Sequence, residues 1–272
     1  KINYLINMDL NQILGYIGAL IVGIVLGLIG GGGSILTVPI LVYLIGLNPV
    51  TATAYSLFVV GGTSLFGAIQ NFRNKMVDVR TAIVFTIPAF IAVYLTRRYL
   101  VPAIPDSLFT IFDFEVTKSI FIMMFFAIVM LLASISMIRT RKKTTSEEQE
   151  ITYNIPLIII EGLIVGILTG IVGAGGGFLI IPALVLLAKL PMKLAVGTSL
   201  IIISAKSLIG FLGDVQNLAI DWAFLLTFTS ISVVGIFIGV YATKFISGEK
   251  LKKGFGWFTL LMALYIIYKE LY

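Results

Sequence analysis

Gly27–Pro39 reads GLIGGGGSILTVP, and Gly170–Pro182 reads GIVGAGGGFLIIP. A shift of 143 residues lays the first on the second without a gap. The match continues to Asp78 and Asp221, with 18 identities over 52 positions. Self-similarity on this scale marks a tandem duplication. Each copy sets small residues between a long apolar run and a short one: Gly30, Gly31, Gly32 and Gly33 in the first, and Gly173, Ala174, Gly175, Gly176 and Gly177 in the second. Glycine breaks a helix and permits sharp turns.

Outward from these clusters, apolar runs fill the chain. In the first half they are Leu10–Ile29, Ser34–Ile45, Thr51–Ile69, Thr81–Leu95 and Lys118–Ile138. In the second they are Ile155–Val172, Phe178–Leu187, Leu194–Leu212, Trp222–Tyr241 and Phe255–Tyr268. Of the 272 residues, 59% are hydrophobic and 12% charged, and the mean hydropathy is +1.09. A soluble domain carries about 25% charged residues. One core cannot hide this much apolar surface, so the solvent is a lipid bilayer and an ordinary soluble enzyme is excluded. Cysteine and histidine are both absent, which removes disulfides, Cys/His zinc sites and histidine-based catalysis. No cofactor is expected. The basic residues lie between apolar runs, so the net charge of +6 reads as orientation in the cell membrane and not as nucleic-acid binding.

The expected fold is an all-α polytopic membrane protein made of two repeats of five apolar segments each. The first spans 1–138 and the second 153–272, with a polar cytoplasmic linker at 139–152. Charge argues that the repeats are inverted. The loop after the third segment holds Arg73, Lys75 and Arg80, whereas its duplicate holds no Lys or Arg and two Asp. With Arg73–Arg80 inside, the linker and the Lys244–Lys253 cluster also fall inside. Arg97 and Arg98 fall outside and read as interfacial anchors. The stretch 101–117 then faces outward. Inverted repeats are typical of secondary transporters.

A spanning helix needs about 20 apolar residues. The second segment of each half, with 12 and 10 residues, is too short. Each glycine cluster is therefore expected to tip a broken-helix hairpin near the bilayer midplane, either re-entrant or crossing. Irregular backbone is tolerated there only when it is enclosed or lines a cavity. The short helix begins at Ser34, which suits an N-cap, or at Gly177. Its free N–H groups favour an anion. Two facing tips would surround a small anion with donors. The matched pairs Gly23/Gly27 and Gly166/Gly170 suggest close helix packing instead. Ser56, Thr63, Gly67 and Gln70 share one face of the third segment, and Ser199, Lys206, Gly210 and Gly213 are their duplicates. This small and polar stripe lines a path or forms a packing groove. Lys206 falls near mid-bilayer, where a charge by default marks function. It binds the anion, pairs with Glu161 or snorkels; Glu161 alternatively carries a coupling proton.

The doubled glycine–proline motif, followed by LAVGTSL (Leu194–Leu200), resembles the TauE/SafE sulfite exporter family across nearly the whole chain. The first copy departs from that pattern with ATAYSL (Ala52–Leu57). The resemblance implies a multi-pass permease, driven by an ion gradient, that moves sulfite, sulfonates and related small sulfur-containing anions. An anion channel, or a permease for an unrelated solute, is the alternative. An intramembrane enzyme fits worst: no GxSG is present, and GFLGD (Gly210–Asp214) is a weak echo of an aspartyl-protease motif.

Overall fold

In a computed structural model the described residues are 10–31, 33–111, 114–138, 155–173, 175–186, 190–242, 245 and 248–271. The expected linker, Gly32 and Ala174 lie outside them. The described chain is almost entirely helical. The first half runs α1 (Leu10–Ile29), α2 (Ser34–Pro39, continued by a π-helical turn Ile40–Leu44), α3 (Pro49–Arg73) and α4 (Val79–Leu95). A second π turn, Thr96–Leu100, leads from α4 into α5 (Val101–Ala103). A short antiparallel hairpin, β1 (Ser107–Ile111) and β2 (Phe114–Thr117), precedes α6 (Lys118–Ile138). The second half runs α7 (Ile155–Val172), α8 (Gly177–Leu186), α9 (Met192–Asp214), α10 (Trp222–Ala242) and α11 (Gly248–Leu271). Seven of these helices are long and apolar enough to cross a membrane. Among the described residues the hairpin is the one departure from helical elements, and it falls in the stretch with no long counterpart in the second half.

Local signals explain the element starts. Asn48 caps α3, its Oδ1 accepting the Val50 N–H at 2.9 Å, with Pro49 at the first helical position. Asp78 caps α4 by accepting from Thr81 N–H at 2.7 Å, and its duplicate Asp221 accepts from Phe224 N–H at 3.0 Å. The two caps stand 143 residues apart, so the duplication extends to the capping chemistry.

Packing is reciprocal between the halves. Gly23 of α1 lies against Ser232 and Gly235 of α10, and Gly166 of α7 lies against Ala89 and Ala92 of α4. Each of these positions maps onto its counterpart by the same shift. Further along the crossings, Gly27 meets Gly239 and Gly170 meets Thr96. Only residues without bulky side chains let backbones come this close. The GxxxG pairs therefore do serve packing, and they join one half to the other. The helices α3 and α9 also cross, running antiparallel: Gly61 meets Leu208, Gly67 meets Leu200 and Gly210 meets Leu57. The amide of Asp78 donates to Thr198 Oγ1 at 2.9 Å, and the amide of Asp221 donates to Tyr55 Oη at 2.6 Å; these contacts again exchange under the shift. About 72% of the α3 span and 67% of the α9 span are buried, against 33–44% for the other five. So α3 and α9 form the centre. The outer helices turn large apolar side chains such as Ile17, Ile21, Leu226 and Phe237 outward, as a bilayer requires.

A side chain on Gly23 would collide with the Ser232 carbonyl, whereas one on Gly254 meets nothing within 4 Å. Gly23→Leu is expected to lower stability by about 1–3 kcal/mol or more through overpacking. Gly254→Ala is expected to be neutral or mildly stabilising. Thermal melting of the two purified variants in detergent checks the contrast.

Candidate functional site

The two glycine clusters meet. A Cβ on Gly31 would lie 2.5 Å from the Cα of Gly177, and a Cβ on Gly177 would strike the Cα of Gly31. Gly175 abuts Val60 and Ser34, while Gly177 abuts Ile203. Val60 and Ile203 stand halfway along α3 and α9, so the junction sits at mid-length of the two central helices. Its flanks are reciprocal: Gly30 packs on Val196, and Gly173 packs on Thr53. The backbone turns at Gly30 (φ 77°), Gly173 (φ 70°), Gly175 (φ 62°) and Gly176 (φ 70°), a conformation that favours glycine.

Donors are left over at this junction. The N–H groups of Ser34 and Gly177, the first residues of α2 and α8, find no acceptor among the described residues. Both stand at the positive ends of their helices. The expected N-cap role of Ser34 is not observed. Gly33 holds that position, and the Ser34 hydroxyl instead donates to the Gly31 carbonyl at 2.7 Å. The glycine turn leaves that carbonyl unpaired inside the protein, and the hydroxyl satisfies it.

Lys206 is fully buried. Its Nζ donates to Thr169 Oγ1 at 2.8 Å, and a Cβ on Gly176 would lie 3.1 Å from it. The lysine thus reaches the second cluster. No ion pair joins it to Glu161. Glu161 stands eight residues before Thr169 on α7, about 12 Å along the axis, and its half-buried carboxylate has an oxygen without a partner. Ser199 Oγ lies 2.9 Å from the Gly30 carbonyl and 2.8 Å from that of Val196. Its duplicate Ser56 is buried with no hydrogen-bond partner, as are Thr63, Ser64 and Ser207. Gln70 lies near the end of α3, about 15 Å along the axis from Val60, and is not brought to the junction. Gly67, Gly210 and Gly213 face packed side chains.

Arg97 corrects the sequence reading. It is no interfacial anchor: its side chain is fully buried, and Nε bonds Asp214 Oδ2 at 2.6 Å. Its Nη1 donates to Thr53 Oγ1 at 3.1 Å and to the Gly170 carbonyl at 3.2 Å. This placement continues the inward stripe of α4, in which Ala89, Ala92, Val93 and Thr96 are also buried, and the π turn that begins at Thr96 leaves Tyr99 outside. Arg98 bonds Gln216 and stacks on Tyr99. The missed signal was a pair of opposite charges just past two run ends: Arg97 follows Leu95 by two residues, and Asp214 follows Leu212 by two.

Apolar spanning helices around an enclosed polar junction at mid-depth define a multi-pass membrane transport protein. The chain belongs to the sulfite exporter TauE/SafE family, whose description matches residues 16–266. It is 29% identical over 257 residues to a probable membrane transporter protein of Xylella fastidiosa, covering 92% of both chains. It is 30% identical over 222 residues to the probable membrane transporter protein YunE of Bacillus subtilis, covering 76% of this chain and 79% of that one. No solved structure matches significantly.

The two duplicated serines now differ in their work. Ser199→Ala should remove the bond to Gly30 and cost about 1 kcal/mol or more. Ser56→Ala should leave stability unchanged, because its hydroxyl bonds nothing. Parallel melting curves test the difference.

Proposed function

We propose that this protein is a secondary transporter that carries small anions, such as sulfite or organosulfonates, out of the cell. The anion is held at mid-membrane between the two glycine tips. One observation carries this reading: a fully buried ammonium, Lys206, adjoins Gly176 with no carboxylate paired to it among the described residues. A cation at the bilayer centre costs about 2.5–3.5 kcal/mol on insertion scales, and a bound anion offsets that cost. The free N–H groups of Ser34 and Gly177 supply further donors without adding charge. The contacting set is then Gly30, Gly31, Gly33 and Ser34, with Gly173, Gly175, Gly176 and Gly177, joined by Ser56, Ser199 and Lys206; Gly32 and Ala174, expected in the same set, lie outside the described residues. Gln70 lies along the approach. Glu161 is the candidate carrier of a coupling proton. Outward transport of sulfur oxyanions follows the family's description.

In this reading the repeats are inverted, with the linker in the cytoplasm. Two observations support inversion: the duplicated helices α3 and α9 run antiparallel, and the contacts between the halves exchange under the 143-residue shift. The tips then enter from opposite sides, as the broken helices of inverted-repeat transporters do.

Two experiments test this. The chain has no native cysteine, so single cysteines at Lys75 and Gln216 report sidedness directly. A membrane-impermeant reagent should reach them from opposite sides; labelling of both from one side would refute inversion. In proteoliposomes, Lys206→Met should weaken anion uptake affinity about tenfold or more, and Lys206→Arg should retain part of it. Unchanged affinity in a well-folded Lys206→Met protein would refute the anion role. Flux that saturates and follows a proton gradient separates a transporter from a channel.

A further inference from the structure

Arg97 and Lys206 come from different helices yet converge on one turn. Lys206 Nζ bonds Thr169, and Arg97 Nη1 bonds the carbonyl of Gly170, the next residue. This is the last turn of α7 before the second glycine cluster. Arg97 also bonds Thr53, the residue on which Gly173 packs. Its guanidinium is therefore seated at the base of the tip. Asp214 takes only Nε, and the buried Nη2 has no partner among the described residues. A guanidinium enclosed in protein normally has its donors satisfied, so an unfilled donor here points to an absent acceptor.

The duplication shows that the fold does not need this pair. Under the 143-residue shift Arg97 maps onto Val240 and Asp214 onto Asn71. Asn71 bonds the Gly67 carbonyl of its own helix, and α10 runs on through Gly239 and Val240 as regular α-helix without a π turn. The first half thus buries, at the start of a π turn, a charge that the second half omits. π turns of this kind are frequent at functional sites.

We propose that Arg97, Asp214 and Lys206 form one substrate-binding charge cluster, with Arg97 Nη2 as a second anion contact beside Lys206. The proposal deepens the mid-membrane anion site argued above and rests on it. Two cations and one carboxylate leave a single net positive charge. A buried site is most stable when its charge is cancelled, so the cluster accepts a singly charged oxyanion, a sulfonate or singly protonated sulfite. It disfavours a doubly charged one. Asp214 sets this count by neutralising one cation.

The probes are methanesulfonate, with one charge, and sulfate, with two, tested by thermal shift on purified protein and by competition in proteoliposomes. Methanesulfonate should raise the melting temperature of the unaltered protein, and sulfate should not. Asp214→Asn raises the net charge to two, so sulfate should then compete about tenfold better. Lys206→Met brings the net charge to zero and should lose methanesulfonate binding. The double variant Lys206→Met/Asp214→Asn restores one positive charge on Arg97 and should regain it. Equal stabilisation of the unaltered protein by both anions would overturn the charge count, whether or not any variant folds. A folded double variant that stays unresponsive would exclude Arg97 from the site while leaving the role of Lys206 standing. Failure of both anions on the unaltered protein would overturn the mid-membrane anion reading itself.

Discussion

The backbone of Gly31 lies against the backbone of Gly177 with no room for a side chain on either. Much of the architecture follows from this contact. Irregular backbone inside a bilayer must be enclosed by protein, so two helices have to wrap the junction. The helices α3 and α9 do so, and they are the most buried spans. Each half lends cover to the other's tip. Val196 of the second half covers Gly30, and Thr53 of the first covers Gly173. The crossings of α1 on α10 and of α7 on α4 follow the same rule, with glycine at each closest approach. The two copies thus complement each other structurally.

Within this near-symmetric frame the chemistry is one-sided. Lys206 stands where the first half has Thr63, Arg97 where the second half has Val240, and Asp214 where the first has Asn71. The hydroxyls divide in the same way. Ser199 is bonded to the first tip, whereas Ser56, its duplicate, is buried without a bond among the described residues. All three buried charges therefore belong to the second cluster and the last turn of α7. Packing is conserved between the halves and charge is not, which separates what holds the fold from what the junction does.

Most of the fold was legible because the bilayer simplifies the code. Apolar runs gave the helices to within a few residues; Leu10–Ile29 and Ile155–Val172 match α1 and α7 end to end. The glycine clusters and the short second segments gave the hairpins, since glycine and length act locally. Lys206 stood out as a charge far inside a run. Arg97 did not, because an arginine near the end of a run is usually interfacial. It lies four residues past the buried Val93 and eight past the buried Ala89, on the inward face of α4, and only the packing of that face carries it inside. The direction of the Ser34 hydroxyl was equally hidden. Serine donates as readily as it accepts, and which it does depends on the nearby Gly31 carbonyl. The β1–β2 hairpin lies where the duplication offers no template.

Burial makes the three charges at the end of α7 depend on one another. An ion pair enclosed in protein is poor evidence of added stability, because desolvation cancels much of the attraction. The Arg97–Asp214 pair is thus not explained by stability alone, and Val240 and Asn71 in the other half show the same fold doing without it. Lys206 has even less structural reason to exist, with a neutral threonine hydroxyl as its hydrogen-bond acceptor and a threonine as its duplicate. A protein that carries an excess positive charge at the meeting point of two glycine tips is costly in the absence of an anion and relieved in its presence. In the proposed reading the same imbalance supplies affinity for an anion, and the carboxylate of Asp214 limits that affinity to one unit of charge, so that a bound anion can also leave.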